Sequence, residues 1–190
     1  MLFASVFAAL GVPQVWARQS AYTVIDADFD DGRFFLHLWT AWRRDPDRSR
    51  GLHVVGLLPR LTDSKVLRER LLQACPAEMT SCIHQLMDAW PLNLLGIHRL
   101  EFEGLRVTLT LAVGDASTLL SHLSVRADAM VLSSAVRSAS DGDVEAIFAQ
   151  AKGRLVPHGK LVMPWLRVDA QTTSLWKQGA VHDGVWSYMN

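Results

Sequence analysis

The chain is 190 residues long, 49% apolar and 20% charged, with a formal net charge of zero. That length accommodates one domain around a single sizeable core rather than two, and a composition without low-complexity tracts excludes a disordered chain. Zero net charge excludes the global electrostatic pull of a typical nucleic-acid binder, so any RNA contact has to come from a local patch.

The opening run MLFASVFAALG predicts a helical turn or two over Leu2 to Leu10, ended by Gly11 and Pro13. It lacks the basic flank of a signal peptide and is too short to cross a bilayer. Next comes YTVIDADFDDGRFFLHLW, Tyr22 to Trp39: a short β-branched strand to Ala27, an acidic turn, and a helix from Gly32 to about Asp45-Pro46. Phe34, Phe35, Leu38, Trp39 and Trp42 fall on one face of that helix and read as core rather than as a base-stacking platform. A strand, a turn and a helix in this order usually form a nucleotide or cofactor pocket, because the helix's free N–H groups point at the turn. Here the turn carries Asp26, Asp28, Asp30 and Asp31 and the single glycine Gly32.

WRRDPDRSRG brings Arg43, Arg44, Arg48 and Arg50, partly neutralised by Asp45 and Asp47. It reads first as a solvated linker and second as a phosphate-binding patch. LHVVGLLP, Leu52 to Pro59, is a continuous apolar strand of the kind buried on both faces of a parallel sheet. Thr62 or Asp63 caps a helix with the stripe Val66, Leu67, Leu71 and Leu72, stopped at Cys75-Pro76, and a second helix runs from Glu78 to Ala89. Cys75 and Cys82 fit neither a CxxC pair nor a zinc spacing and read as free thiols of a reducing compartment, so a cytoplasmic protein without membrane attachment is expected.

Ile97 to Val113 alternates in two arms joined at Glu103-Gly104, a β-hairpin whose second arm continues into the sheet. Gly114-Asp115 ends it. A short helix over Ser117 to Leu123, capped by Ser117, a buried strand over Ala129 to Ser133, and a helix over Asp141 to Gly153 follow, the last with Val144, Ile147, Phe148 and Ala151 inward. Lys160 to Trp165 is a further strand, Thr172 to Lys177 a last helix, and Val185 to Tyr188 a terminal strand. The alternation predicts an α/β fold, a doubly wound and mostly parallel sheet, with ligand space at 26–32, 57–60, 114–116 and 133–138.

Alternating aspartates also suggest a divalent-metal-binding domain built on the 26–31 cluster. The EF-hand register fails: counted from Asp26, the sixth position is Asp31 rather than glycine and the twelfth is His37 rather than glutamate. A solvated acidic turn is the plainer reading, and no metal ligands are assigned. The histidines show neither HxxxH nor HExxH, and Ser133 and Ser134 stand in no GxSxG elbow.

The frame FLHLWTAWRRDP, the passage LHVVGLLPRLT, the run GIHRLEFEGLRVTLTLAVGDA and the turn GRLVPHGKL, in that order and spacing, resemble a known family. It is the S-adenosylmethionine-dependent tRNA 5-methylaminomethyl-2-thiouridine methyltransferase domain, the N-terminal domain of MnmC-type proteins. The resemblance covers nearly the whole chain. It implies the class I methyltransferase (Rossmann-like) fold, with 1–190 a single methyltransferase-like domain trimmed at both ends relative to the family. It also implies S-adenosylmethionine as cofactor where the family site still functions, tRNA as substrate, and an FAD-dependent oxidoreductase as partner domain or protein.

On the family's pocket positions, a strand-end glutamate and a GFGTG loop, stand Asp26 and then Asp28, Phe29, Asp30, Asp31 and Gly32. A non-glycine forced into a left-handed backbone costs about 1–2 kcal/mol, and the added carboxylates would face the methionyl carboxylate of the cofactor. Leu58 replaces the acidic residue expected to bind the ribose hydroxyls, and Ser133 is the family-equivalent position on the substrate-facing lip, where LDGFAP appears as Leu132 to Arg137 and no catalytic residue is assigned. Only Gly114-Asp115, expected near the adenine, is kept. These losses amount to roughly 5–10 kcal/mol against about 8 kcal/mol for a micromolar affinity. The implied protein is a non-catalytic scaffold or a tRNA- and partner-positioning module, with an active methyltransferase carrying a remodelled pocket as the alternative.

Overall fold

In a computed structural model of the chain, residues 2–132, 141–164, 177–182 and 185–189 are described. The helices are α1 (Leu2–Leu10), α2 (Arg33–Arg44), α3 (Ser64–Ala74), α4 (Thr80–Asp88), α5 (Ala116–His122) and α6 (Asp141–Arg154). The strands are β1 (Tyr22–Asp26), β2 (Leu52–Leu58), β3 (Gly96–Phe102), β4 (Val107–Val113), β5 (Ala127–Val131), β6 (Leu155–Pro164), β7 (Lys177–His182) and β8 (Val185–Met189).

All eight strands form one sheet in the order β3-β4-β2-β1-β5-β6-β8-β7. β4, β2, β1, β5 and β6 run parallel, whereas β3 is antiparallel to β4, and β8 is antiparallel to both β6 and β7. The chain moves outward from β1 through β2 to β4 and then crosses to β5 on the other side of β1. That reversal is the switch point at which doubly wound sheets hold ligands.

Side chains of the central strands alternate between two cores. Val24, Val54 and Leu58 join the cluster under α1 to α4, while Ile25, Val55 and Leu57 join the one that Leu120, Ile147, Phe148 and Ala151 of α5 and α6 complete. Two covered faces explain why LHVVGLL is apolar throughout rather than alternating. The hairpin belongs to the sheet, as its alternation predicts: β4 pairs with β2 along all seven residues, and its turn is fixed to α2 where Glu103 accepts from Trp39 Nε1 (3.1 Å) and Arg43 Nε (2.7 Å).

The inward face of α2 is as its spacing predicts, with Phe34, Phe35, Leu38, Trp39 and Trp42 all buried. Three other expectations change. In α3 only Leu67 and Leu71 are buried, and Val66 and Leu72 are 50% and 41% exposed, because the helix packs through a stripe narrower than four residues. The cap of α5 is Asp115 rather than Ser117: its Oδ1 accepts from Thr118 N (2.9 Å) and Oγ1 (2.8 Å). The expected helix over 172–177 lies outside the described residues except for Lys177, which opens β7. Asp63 does cap α3, accepting from Lys65 N and Val66 N. Among the described residues no helix is long and apolar enough to cross a membrane.

Candidate functional site

The carboxyl ends of β1, β2, β4 and β5 meet along one edge. Asp26 is in register with Gly56 of β2 and Val131 of β5, and Leu58 with Val113 of β4. The chain leaving each strand is held to its neighbour: Ala27 N donates to Val131 O (2.9 Å), Phe29 N to Leu57 O (3.2 Å) and Gly114 N to Leu58 O (2.9 Å). Asp26, Leu58, Gly114 and the turn 27–32 are thus assembled at one place. Ser133 lies outside the described residues.

The turn hangs on Phe29, which is buried between two glycines. A Cβ at Gly56 would lie 2.2 Å from Phe29 Cδ2, and one at Gly32 would lie 3.2 Å from Phe29 Cζ. The ring also stacks on Trp90, centroids 6.5 Å apart, whose Nε1 donates to Thr62 O. Close approach therefore requires glycine at 56, a partner of the turn that no local sequence pattern reveals, since it lies 27 residues away from Phe29.

Backbone strain is confined to one of the two replaced family glycines. Asp30 has φ 38° and Gly32 φ 77°, both left-handed, whereas Asp28 is not in that region. The conformational cost expected at both Asp28 and Asp30 thus applies to Asp30 alone. Asp30 is exposed and Asp28 half-buried.

Four amides of the turn are taken within the chain. Asp28 N donates to Asp26 Oδ1 (3.1 Å), Phe29 N to Leu57 O, Gly32 N to Phe29 O (2.8 Å) and Arg33 N to Asp31 Oδ1 (3.1 Å). Asp31 is buried and takes a second bond from Arg33 Nε at 2.7 Å. Burial pushes the Asp26 carboxyl up to about 7; the bond from Asp28 N opposes this, and the charges of Asp28, Asp30 and Asp31 add to it. The four carboxylates make the turn acidic, which disfavours a further carboxylate beside it.

Leu58 is 2% exposed and packs in the same cluster as Phe29, so the end of β2 presents no acceptor at that position. Asp115 reaches the edge but serves as the cap of α5. Among the described residues no three His, Cys, Asp or Glu side chains are placed to hold a metal ion, so the aspartates at 26–31 do not converge as the metal reading requires. Cys75 and Cys82 are both free thiols.

A model of an S-adenosyl-L-methionine-dependent methyltransferase family matches residues 77–134. The tRNA 5-methylaminomethyl-2-thiouridine biosynthesis bifunctional protein MnmC of Burkholderia ambifaria is 37% identical over 156 residues, 81% of this chain and 24% of that protein. Its namesake in Ralstonia nicotianae is 40% identical over 122 residues, 64% of this chain and 18% of that protein. The chain spans about a quarter or less of the length of these curated relatives. Among solved structures, MnmC2 from Aquifex aeolicus superposes with a TM-score of 0.68 at 14% identity, over 98% of this chain and 58% of that one. A class I S-adenosylmethionine-dependent methyltransferase from Listeria monocytogenes gives 0.55 at 10% identity, over 99% of this chain and 59% of that one. At these identities the structures establish the fold alone.

Proposed function

The chain is a relative of the MnmC proteins with the class I methyltransferase fold, and from that premise we propose that it serves tRNA wobble-uridine modification without itself transferring a methyl group. The residues at the carboxyl edge do not fit S-adenosylmethionine in the usual manner of this fold. The observation that carries the reading is the acidic turn, four of whose amides, those of Asp28, Phe29, Gly32 and Arg33, are taken by Asp26, Leu57, Phe29 and Asp31. A carboxylate-bearing ligand placed there meets carboxylates, and two like charges about 4 Å apart near a surface repel by a few kcal/mol. Leu58, buried and apolar, adds the loss of a ribose acceptor, about 1–3 kcal/mol.

In this reading the fold is kept as a module that positions tRNA or a partner, the partner being an FAD-dependent oxidoreductase in the same or a separate polypeptide, and the setting is the cytoplasm. Residues 1–190 act as one domain. Isothermal titration with S-adenosylmethionine tests it. Absence of saturable binding up to about millimolar ligand is the expected result; a dissociation constant near micromolar, about 8 kcal/mol of binding, overturns it.

A further inference from the structure

The net charge of zero conceals an uneven distribution between the two edges of the sheet, although the carboxyl edge also carries Arg33, paired with Asp31, and the exposed Arg60. The carboxyl edge carries the acidic turn. The amino edge carries arginines at the approach to every parallel strand: Arg18 before β1, Arg50 before β2, Arg106 before β4, Arg126 before β5 and Arg154 before β6. Backbone bonds put them side by side. Leu52 N donates to Arg106 O (2.8 Å), Arg50 N to Gln19 O (2.9 Å), and the pairing of Val24 with Ala129 brings Arg126 level with Ala21.

Arg18, Arg50, Arg106 and Arg126 are exposed. Arg154 is half-buried, donating to Leu120 O and Ser121 O, and Arg48 lies beside the row with its guanidinium 4.9 Å from the Trp42 ring centroid. The carboxylates on this edge are fewer. Asp128 accepts from Thr23 N, Asp45 from Trp16 Nε1 and Asp47 N, and Asp47 is exposed, while Glu103 is paired with Arg43. Neighbouring strands lie about 4.8 Å apart, so a row from β4 to β6 spans about 19 Å, enough to follow several phosphates of one strand. Every cation in the row is arginine, whose planar fork matches phosphate oxygens, rather than lysine.

We propose that the amino edge of the sheet, centred on Arg18, Arg50, Arg106 and Arg126, is an RNA-backbone-binding surface, with the acidic carboxyl edge turning the RNA away from the vestigial cofactor turn. That the polyanion is RNA rests on the tRNA role proposed above; the surface itself rests on the uneven distribution of charge.

The test titrates the full chain against a fluorescently labelled tRNA bearing a wobble uridine, at about 50 mM and about 200 mM salt. The parent is expected to bind with strong salt dependence. The R50Q/R106Q/R126Q variant is expected to bind at least about tenfold more weakly at low salt, with a log–log salt slope smaller by about 2–3, since each lost phosphate contact removes about 0.7–0.9. R68Q, on α3 and away from this edge, should match the parent. Because Arg106 Nε also donates to Glu103 O in the hairpin turn, R50Q/R126Q serves as the variant that leaves that turn untouched, and thermal melting checks the fold of both. Parent-like tRNA binding by folded R50Q/R106Q/R126Q overturns the surface while leaving the tRNA role standing. A parent that binds no tRNA overturns both. Discrimination between parent and variant by anionic lipid vesicles but not by tRNA overturns the assignment to RNA.

Discussion

Replacing Asp26 by asparagine isolates the electrostatic cost of the acidic turn. The Asp26 carboxyl is buried, and its pKa rises from an ordinary 3.8 to about 7. Between those values the folded protein holds a proton that the unfolded chain has released. Stability at this site is therefore fully present below about 3.8, falls as pH rises, and levels off above about 7. At about 1.4 kcal/mol per pH unit the interval corresponds to about 4 kcal/mol. The asparagine of Asp26→Asn keeps an oxygen for Asp28 N and has no charge to bury. The variant should match the parent near pH 4 and exceed it by up to about 4 kcal/mol near pH 8. Urea unfolding of both proteins across this range measures the difference, and cancellation of the other titrating groups makes the comparison clean. A parent and variant whose stabilities run parallel from pH 4 to 8 would show that Asp26 is charged at neutral pH, and would refute the account of Asp26 as a buried acid among like charges.

The two aspartates on family glycine positions should separate in the same assay. Asp30→Gly releases a residue held at φ 38° and should stabilise by about 1 kcal/mol, while Asp28→Gly relieves no such strain and should cost about 0.5–1 kcal/mol of chain entropy. Equal gains from both would contradict the assignment of strain to Asp30. Neither change, nor both together, should restore S-adenosylmethionine binding while Leu58 remains. Phe29→Ala empties the space between Gly56, Gly32 and Trp90 and should cost about 3–5 kcal/mol by denaturant unfolding, with a change in tryptophan fluorescence from Trp90; a loss under 1 kcal/mol would mean that the ring does not anchor the turn.

The scaffold was readable where burial imposes a period. Phe34, Phe35, Leu38, Trp39 and Trp42 recur at helical spacing, and the unbroken apolar run of β2 announces a strand covered on both faces; both packed as read. Local chemistry that depends on reach was less readable. Asp115 and Ser117 are both good caps, and only the geometry shows that the Asp115 carboxylate reaches Thr118 N. β7 escaped because KQGAVH lacks a clear alternation and takes its place through pairing with β8. At the site the order of segments placed Asp26, Leu58 and Gly114 at strand ends that do converge, but the contact of Phe29 with Gly56 spans a β-α-β unit and leaves no local trace. The basic edge was divided in the sequence among five strand approaches, so that only Arg48 and Arg50 appeared as a charge run.

On the proposed reading, the acidic turn also bears on how such a site could lose its ligand without losing its fold. A glycine-rich turn leaves amides pointing at an empty space, and an anion that fills it satisfies them. Here carboxylates of the chain do so from within: Asp26 takes the amide of Asp28 and Asp31 takes that of Arg33, with Arg33 Nε closing the pair. On the proposed reading Asp26 and Asp31 lessen the turn's dependence on a ligand, while Asp28 and Asp30, on the family glycine positions, add the charge that repels one. Each also raises the cost of reversal, because a glycine put back at one position leaves the other acids in place and an apolar Leu58 still packed beside Phe29. Four amides of the turn are taken within the chain, and the exposed Arg18, Arg50, Arg106 and Arg126 stand at the opposite edge of the same sheet.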